Sequence, residues 1–338
     1  MRSIGKTLLG AGTLVGLTVG VAQAQDDPVT VGYQIVMNPW KVAIADGTFE
    51  EATGREIDWR KFDSGSKVIT AMASGDVDIA MAGSSPIAAG VSRELPIELF
   101  WIVENIADAE ALVVHEDAGI EEPEDLKGKK IAVPFVSTTH FHMLFALEHW
   151  GIDPAEVELL NMQPNAIAAA WDRGDIDGAF VWDPALGRIK ESGEVLITSG
   201  ELAELGKATF DGMIVTTEFA DNNAEFMCQF VSILADADAA YRDNPEDFGP
   251  DSENAQKIVD LAGGEASQVS SVLELYDFPT MEEQASDTWL GGGEDTGAAA
   301  ALRATSEFLL EQKQIEALLP SYADVVTAEY VEDAMDGC

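Results

Sequence analysis

Basic side chains are scarce: 338 residues hold 19 Lys and Arg against 61 Asp and Glu, a formal charge of −42. A phosphate backbone needs a basic face, so nucleic acid is excluded as a partner, and docking on an anionic membrane surface is disfavoured for the same reason. Only 2 cysteines are present, which excludes a disulfide-built scaffold and a Cys-rich zinc or iron–sulfur centre. Cys228 falls in an apolar helical run and reads as core, and Cys338 ends the chain and reads as exposed; a bond between them after export is the less favoured alternative. Beyond residue 24 no stretch offers 18 uncharged apolar residues, so no later spanning helix is expected. H-E-x-x-H, G-x-S-x-G and Walker patterns are missing too. His140-x-His142 is no metal motif, because helical positions two apart diverge and no acidic or Cys ligand pattern accompanies them; neither metal nor cofactor is expected.

What is present is globular. Hydrophobic residues make up 46%, with 7 Trp and 14 Phe, too much apolar material for a disordered acidic chain. The length suits two domains of roughly 150 residues. Residues 1–24 read as an export signal: basic Arg2 and Lys6, an uncharged apolar run from Leu8 to Ala22, and an Ala22-Gln23-Ala24 cleavage site. The mature chain is then expected to start at Gln25 in the periplasm, and loss of the two basic residues takes its charge to −44. That exceeds what solubility requires and points to adaptation to high salt. The excess is uneven, with 28 Asp and Glu against 4 Lys and Arg from Thr209 onward.

Strand and helix patterns alternate. Val29–Gln34, Glu56–Phe62, Asp78–Ala82, Ile97–Val103 and Ala111–His115 read as strands, with helices over Pro39–Ala52, Ser66–Ser74 and from Pro86. Glu116–Lys130 reads as a passage between domains. A second series then follows: strands Lys130–Pro134, Val157–Met162, Gly178–Trp182 and Val195–Thr198 among three helices, with one more strand at Met213–Thr217 before a helical, acidic tail. A segment repeats: Ala71-Met-Ala-Ser-Gly-Asp-Val-Asp leads to Ser85-Pro86, and Ala170-Trp-Asp-Arg-Gly-Asp-Ile-Asp leads to Asp183-Pro184. Ser85 and Asp183 read as helix caps. The expected fold class is α/β with two lobes, each a mixed sheet flanked by helices, and a ligand cleft between them beyond the strand ends. The expected division is residues 25–115 with 213–338 as lobe one, and 116–212 as lobe two.

Two loops, Gly83-Ser84-Ser85-Pro86 and Ser137-Thr138-Thr139-His140, put hydroxyls at helix starts, where free N–H groups and the helix dipole favour an anion. Together with Tyr33-Gln34, Asp58-Trp-Arg-Lys-Phe-Asp-Ser-Gly65, Glu110-Ala-Leu-Val-Val114, Ile131-Ala-Val-Pro134 and Ala169–Trp182, they make the chain resemble the taurine-binding receptors of ABC importers, from about Val29 to Val215. That family belongs to the type 2, two-lobed periplasmic binding proteins related to aliphatic-sulfonate and nitrate binders. The resemblance implies a non-catalytic monomer that hands taurine or a similar small sulfonate to an inner-membrane permease. It places the sulfonate on Ser84, Ser85, Thr138 and Thr139, beside His140, and the ammonium on Glu110 and Asp211. Gln34 is expected to bond either end, and Trp182 to pack on the spacer or the cation. Trp40 stands where a small residue is expected, which would narrow the cleft; Asp183 adds a charge, and Met213 replaces an aromatic. Two alternatives remain: a betaine caged by Trp40, Trp101 and Trp182, and an enzyme of the pyrimidine-synthesis kind, for which His140 is the only candidate and lacks a partner.

Overall fold

The computed structural model describes residues 28–338. The export signal expected over 1–24 lies outside them. Among the described residues ten strands form two five-stranded sheets. The first holds β1 (Val29–Gln34), β2 (Ile57–Phe62), β3 (Ile79–Gly83), β4 (Ile97–Asn105) and the last strand, β10 (Phe210–Thr216), in the order β2-β1-β3-β10-β4. The second holds β5 (Glu110–His115), β6 (Lys130–Val133), β7 (Glu158–Asn161), β8 (Gly178–Trp182) and β9 (Gly193–Thr198), in the order β7-β6-β8-β5-β9. In each sheet four strands run in one direction, and one strand inserted from the chain's other passage runs antiparallel: β10 between β3 and β4, and β5 between β8 and β9. Both sheets are flanked by helices, the layering that alternating strand and helix patterns require.

The repeated segment explains why the two sheets match. Gly75 and Gly174 end their helices with φ of +77° and +68°, a conformation that glycine adopts without steric cost. Asp78 Oδ2 then accepts the Thr30 N–H at 2.8 Å, and Asp177 Oδ2 accepts the Lys130 N–H at 2.8 Å. In each lobe the same carboxylate ties the helix exit to the start of the neighbouring parallel strand, β1 or β6, delivering β3 or β8 to the sheet centre.

Several expectations need correction. β5 hydrogen-bonds only within the second sheet, so residues 111–115 do not pair with the first; residues 210–212, conversely, lie in β10 of the first. Residues 116–130 are short turns attached to the second sheet, with Gly128 N–H bonded to the Glu156 carbonyl, and not a passage between the sheets. The chain crosses over residues 106–109 and 199–209, and the crossings run side by side through Ile106 N–H to the Thr209 carbonyl. The helix expected over 39–52 breaks at Gly47, φ +70°, into Trp40–Asp46 and Thr48–Thr53. Ser85 caps nothing; the helix it enters, Ser84–Val91, starts after Gly83. Asp183 accepts the Gly187 N–H from one residue outside the cap position. Cys228 and Cys338, read as unpaired, are joined in a disulfide.

Trp40 is fully buried against Phe49 and Trp59 and does not reach the cleft. The first lobe's core continues through Phe230 of helix Ala224–Asp243, and Leu112, Val133, Leu147 and Phe180 form a core of the second. Phe308, on helix Gly297–Glu311, packs against Phe141 and Leu144 and joins the C-terminal helices to the second lobe. Among the described residues no helix is long and apolar enough to cross a membrane.

Candidate functional site

A cavity lies where the carboxyl ends of the central strands meet between the lobes. Gln34 ends β1, Gly83 ends β3, and Trp182 ends β8; all three line it. Glu110 and Asp211 join them from the starts of β5 and β10, because those two strands enter their sheets antiparallel immediately after the crossings. Two helices also begin at the cavity, contributing Gly83 and Pro86 on one side and Ser137 and Thr138 on the other. The first N–H groups of a helix have no intrahelical acceptor. Ser137 Oγ caps the second helix by accepting the His140 N–H at 3.1 Å, which leaves the N–H groups of Thr138 and Thr139 without a helical partner. Two helix starts facing one cavity suit an oxyanion.

The lobes touch at this point. A methyl built on Gly83 would stand 2.9 Å from Thr138 Cγ2 and 3.2 Å from Asp211 Oδ1. Only a residue without a side chain lets the two helix starts approach each other here.

Two buried carboxylates adjoin these helix starts. Glu110 is almost fully buried; its Oε1 accepts from Thr138 Oγ1 at 2.5 Å, and Ser199 Oγ lies 3.1 Å from Oε2. Burial, reinforced by the nearby Asp211 charge, pushes its pKa up to about 8 against the pull of the two hydroxyls. Asp211 is also buried and is pushed up to about 6. It is held lower than Glu110 by a bond from Glu104, its direct cross-strand neighbour, and by the Lys41 ammonium. Glu104 is itself fully buried, and burial together with the adjacent Asp211 charge pushes its pKa well up, favouring the neutral acid. Lys41, fully buried, donates to Asn38 Oδ1 at 2.8 Å and lies over the Tyr33 and Trp40 rings; burial lowers its pKa to about 7.

Five of the nine expected site residues line the cavity: Gln34, Glu110, Thr138, Trp182 and Asp211. The other four do not. Ser84 Oγ is buried within 3.5 Å of the Phe210 N–H, Ser85 Oγ is buried without a partner, and Thr139 Oγ1 bonds Ser137 Oγ at 2.7 Å. His140 turns back on its own loop, stacking on Phe135 and accepting the Val136 N–H at 3.2 Å, with its pKa lowered by burial to about 4. The loops thus stay in place, but their backbone and their neighbours Gly83 and Ser137 face the cavity, not the side chains of Ser84, Ser85, Thr139 and His140. Trp101 is buried elsewhere, so no cage of three tryptophans exists. Val36, Gly65, Pro86, Ile106 and Tyr276 complete the wall. Gly65 and Pro86 lie in segments quoted above; Tyr276, in the acidic tail, carries no sequence signal.

The two-lobed periplasmic binding protein is the class that this topology and this inter-lobe cavity define. The chain belongs to the NMT1/THI5-like family, whose model matches residues 35–248. It is 41% identical over 320 residues to the taurine-binding periplasmic protein of Escherichia coli, covering 94% of this chain and 97% of that one. The periplasmic aliphatic sulphonate binding protein of Escherichia coli superposes with a TM-score of 0.70 at 19% identity, covering 90% of this chain and 99% of that one. The alkanesulfonate-binding protein of Xanthomonas axonopodis pv. citri, bound to MOPS, gives 0.70 at 22%, covering 91% and 98%.

Proposed function

We propose that this protein is an exported receptor that captures taurine between its lobes and delivers it to an ABC importer's permease. One observation carries the reading: two helix starts and two buried carboxylates, Glu110 and Asp211, line a single small cavity. Taurine is a sulfonate and an ammonium two carbons apart, and each end finds its electrostatic complement. Gln34 bonds whichever end lies beside β1, and Trp182 covers the spacer. The relative named for taurine binding supports the choice of ligand. A plain alkanesulfonate would leave both carboxylates facing a methyl group, a desolvated polar contact that selects against it. Catalysis is not part of the reading: His140 faces away from the cavity and both cysteines are tied in the disulfide. Residence in the periplasm after cleavage behind Ala24, a monomeric state, and service in sulfur acquisition complete the proposal.

Isothermal titration of the mature protein with taurine, ethanesulfonate, sulfate and glycine betaine tests it. Taurine is expected to bind tightly at one site per monomer and ethanesulfonate much more weakly. Equal affinity for the two would remove the ammonium site, and preference for the betaine would remove the sulfonate.

A further inference from the structure

His142 lies on helix Thr138–His149, fully buried and outside the cavity wall. Its Nε2 is 2.6 Å from the Lys207 carbonyl oxygen, and its Nδ1 is 2.7 Å from Ser199 Oγ. A carbonyl only accepts, so Nε2 carries a proton. Burial lowers the imidazole pKa to about 4, against the pull of that carbonyl, so the ring is neutral and Nδ1 is bare. Ser199 therefore faces two groups that want its single proton: Nδ1 at 2.7 Å and Glu110 Oε2 at 3.1 Å. The shorter contact must be the donated one, because two lone pairs opposed at 2.7 Å would repel. Glu110 can then bond Ser199 only by supplying a proton of its own, while its Oε1 accepts from Thr138.

We propose that His142, acting through Ser199, is a positioning residue that holds Glu110 as the neutral acid in the ligand-free protein, so that capture of a cationic group at Glu110 releases one proton to solvent. The O–H bond of Glu110 breaks, its proton passes to bulk water or buffer, and an N–H of the ligand takes its place. This rests on the ammonium placement proposed above, which supplies the cation. The groups around Glu110 favour the neutral acid. Asp211 faces it from β10 and Tyr276 shares the cavity wall; Asp183, with Lys190 near it, follows β8; and Asp108 is engaged with Thr198 Oγ1. The Lys207 ammonium is turned away over the Phe145 and Phe308 rings. A neutral Glu110 also keeps the cavity from holding two bare carboxylates before ligand arrives.

Calorimetry in buffers of different ionisation enthalpy counts the released protons. Near pH 6.5 taurine is expected to release about one proton, with affinity climbing roughly tenfold per pH unit to about pH 8; ethanesulfonate releases none. Ser199→Ala decides the direction of the bond. If Ser199 accepts from the neutral acid, its loss lowers the pH midpoint and taurine gains about three- to tenfold near pH 6. If Ser199 instead donates to a carboxylate, its loss raises the midpoint and weakens binding, which overturns the proposal. His142→Phe, which frees the Ser199 proton for Glu110, is expected to lower the midpoint as well; an unmoved profile in a folded variant also overturns it. Failure of taurine to bind at any pH would sink the zwitterion reading instead. The Glu110 carboxyl carbon, followed by NMR in the ligand-free protein, then decides this proposal alone, and a midpoint below about 6 rejects it.

Discussion

Glu110 is held by hydroxyl groups and no cation, so its influence on the fold and on binding has opposite signs. Burial lifts its pKa from 4.5 to about 8. Between those values the native protein holds more protons than the unfolded chain, so stability fully present below about pH 4.5 is lost as pH rises through about 8. The melting temperature of the ligand-free protein should fall across that window relative to Glu110→Gln, which has no proton to lose; parallel curves would mean that Glu110 is solvated. In binding, the same substitution removes a charge-assisted bond worth about 1.5–3 kcal/mol. Taurine affinity should drop roughly ten- to a hundredfold, at about 1.4 kcal/mol per decade, while ethanesulfonate holds or improves. Titration of both ligands reads this out, and an equal loss for both would assign Glu110 to support of the hinge. At this scale sequence legibility was selective. Gln34, Glu110, Trp182 and Asp211 line the cavity as expected, because strand ends can be located from periodicity and the resemblance. Lys41 and Glu104 are not legible, since nothing in a chain with 61 acidic residues distinguishes a buried charge from a solvated one. His140 was misplaced because the way a helix-start ring turns depends on its loop, here on Phe135 and the Val136 N–H.

At the scale of elements, each of the ten strands was legible to within about three residues at its ends, because a buried β run bounded by Gly or Asp is a local signal. Pairing is not local, so periodicity does not reveal that β5 belongs to the second sheet. The disulfide was hidden for a similar reason: two cysteines 110 residues apart reveal nothing about whether their helices meet. They do meet. Helix Glu329–Asp336 packs on helix Ala224–Asp243, and the bond closes a loop that carries Tyr276 to the cavity. Loop-closure entropy for a loop of about 100 residues gives up to roughly 4.7 kcal/mol. Cys338→Ser should therefore lower the denaturant midpoint clearly, and taurine affinity less, because Tyr276 is also held by core packing. An unchanged midpoint would show that the helix contact alone secures the tail.

Across the whole molecule, charge compensation is incomplete. Two of the few cations are shared: Arg188 bridges Asp172 and Glu191, and Lys257 bridges Asp46 and Glu253. Exposed pairs of this kind contribute about 0–1 kcal/mol each and cannot offset the acidic excess. At 0.01 M salt, where the screening length is about 30 Å, that excess repels itself across much of a lobe. The melting temperature should rise markedly between low salt and molar sodium chloride; a flat profile would sink the high-salt reading. The sheet order has a consequence in time as well as in space. β10 sits between β3 and β4, yet the chain reaches it only after all of β5–β9 has been laid down. As the chain emerges from its amino terminus, one sheet is complete by Thr198, while the other keeps a vacant centre until Thr216. The later-starting half can set first, and the earlier one must wait with the edges of β3 and β4 unpaired, open to whatever chaperone or stray strand meets them.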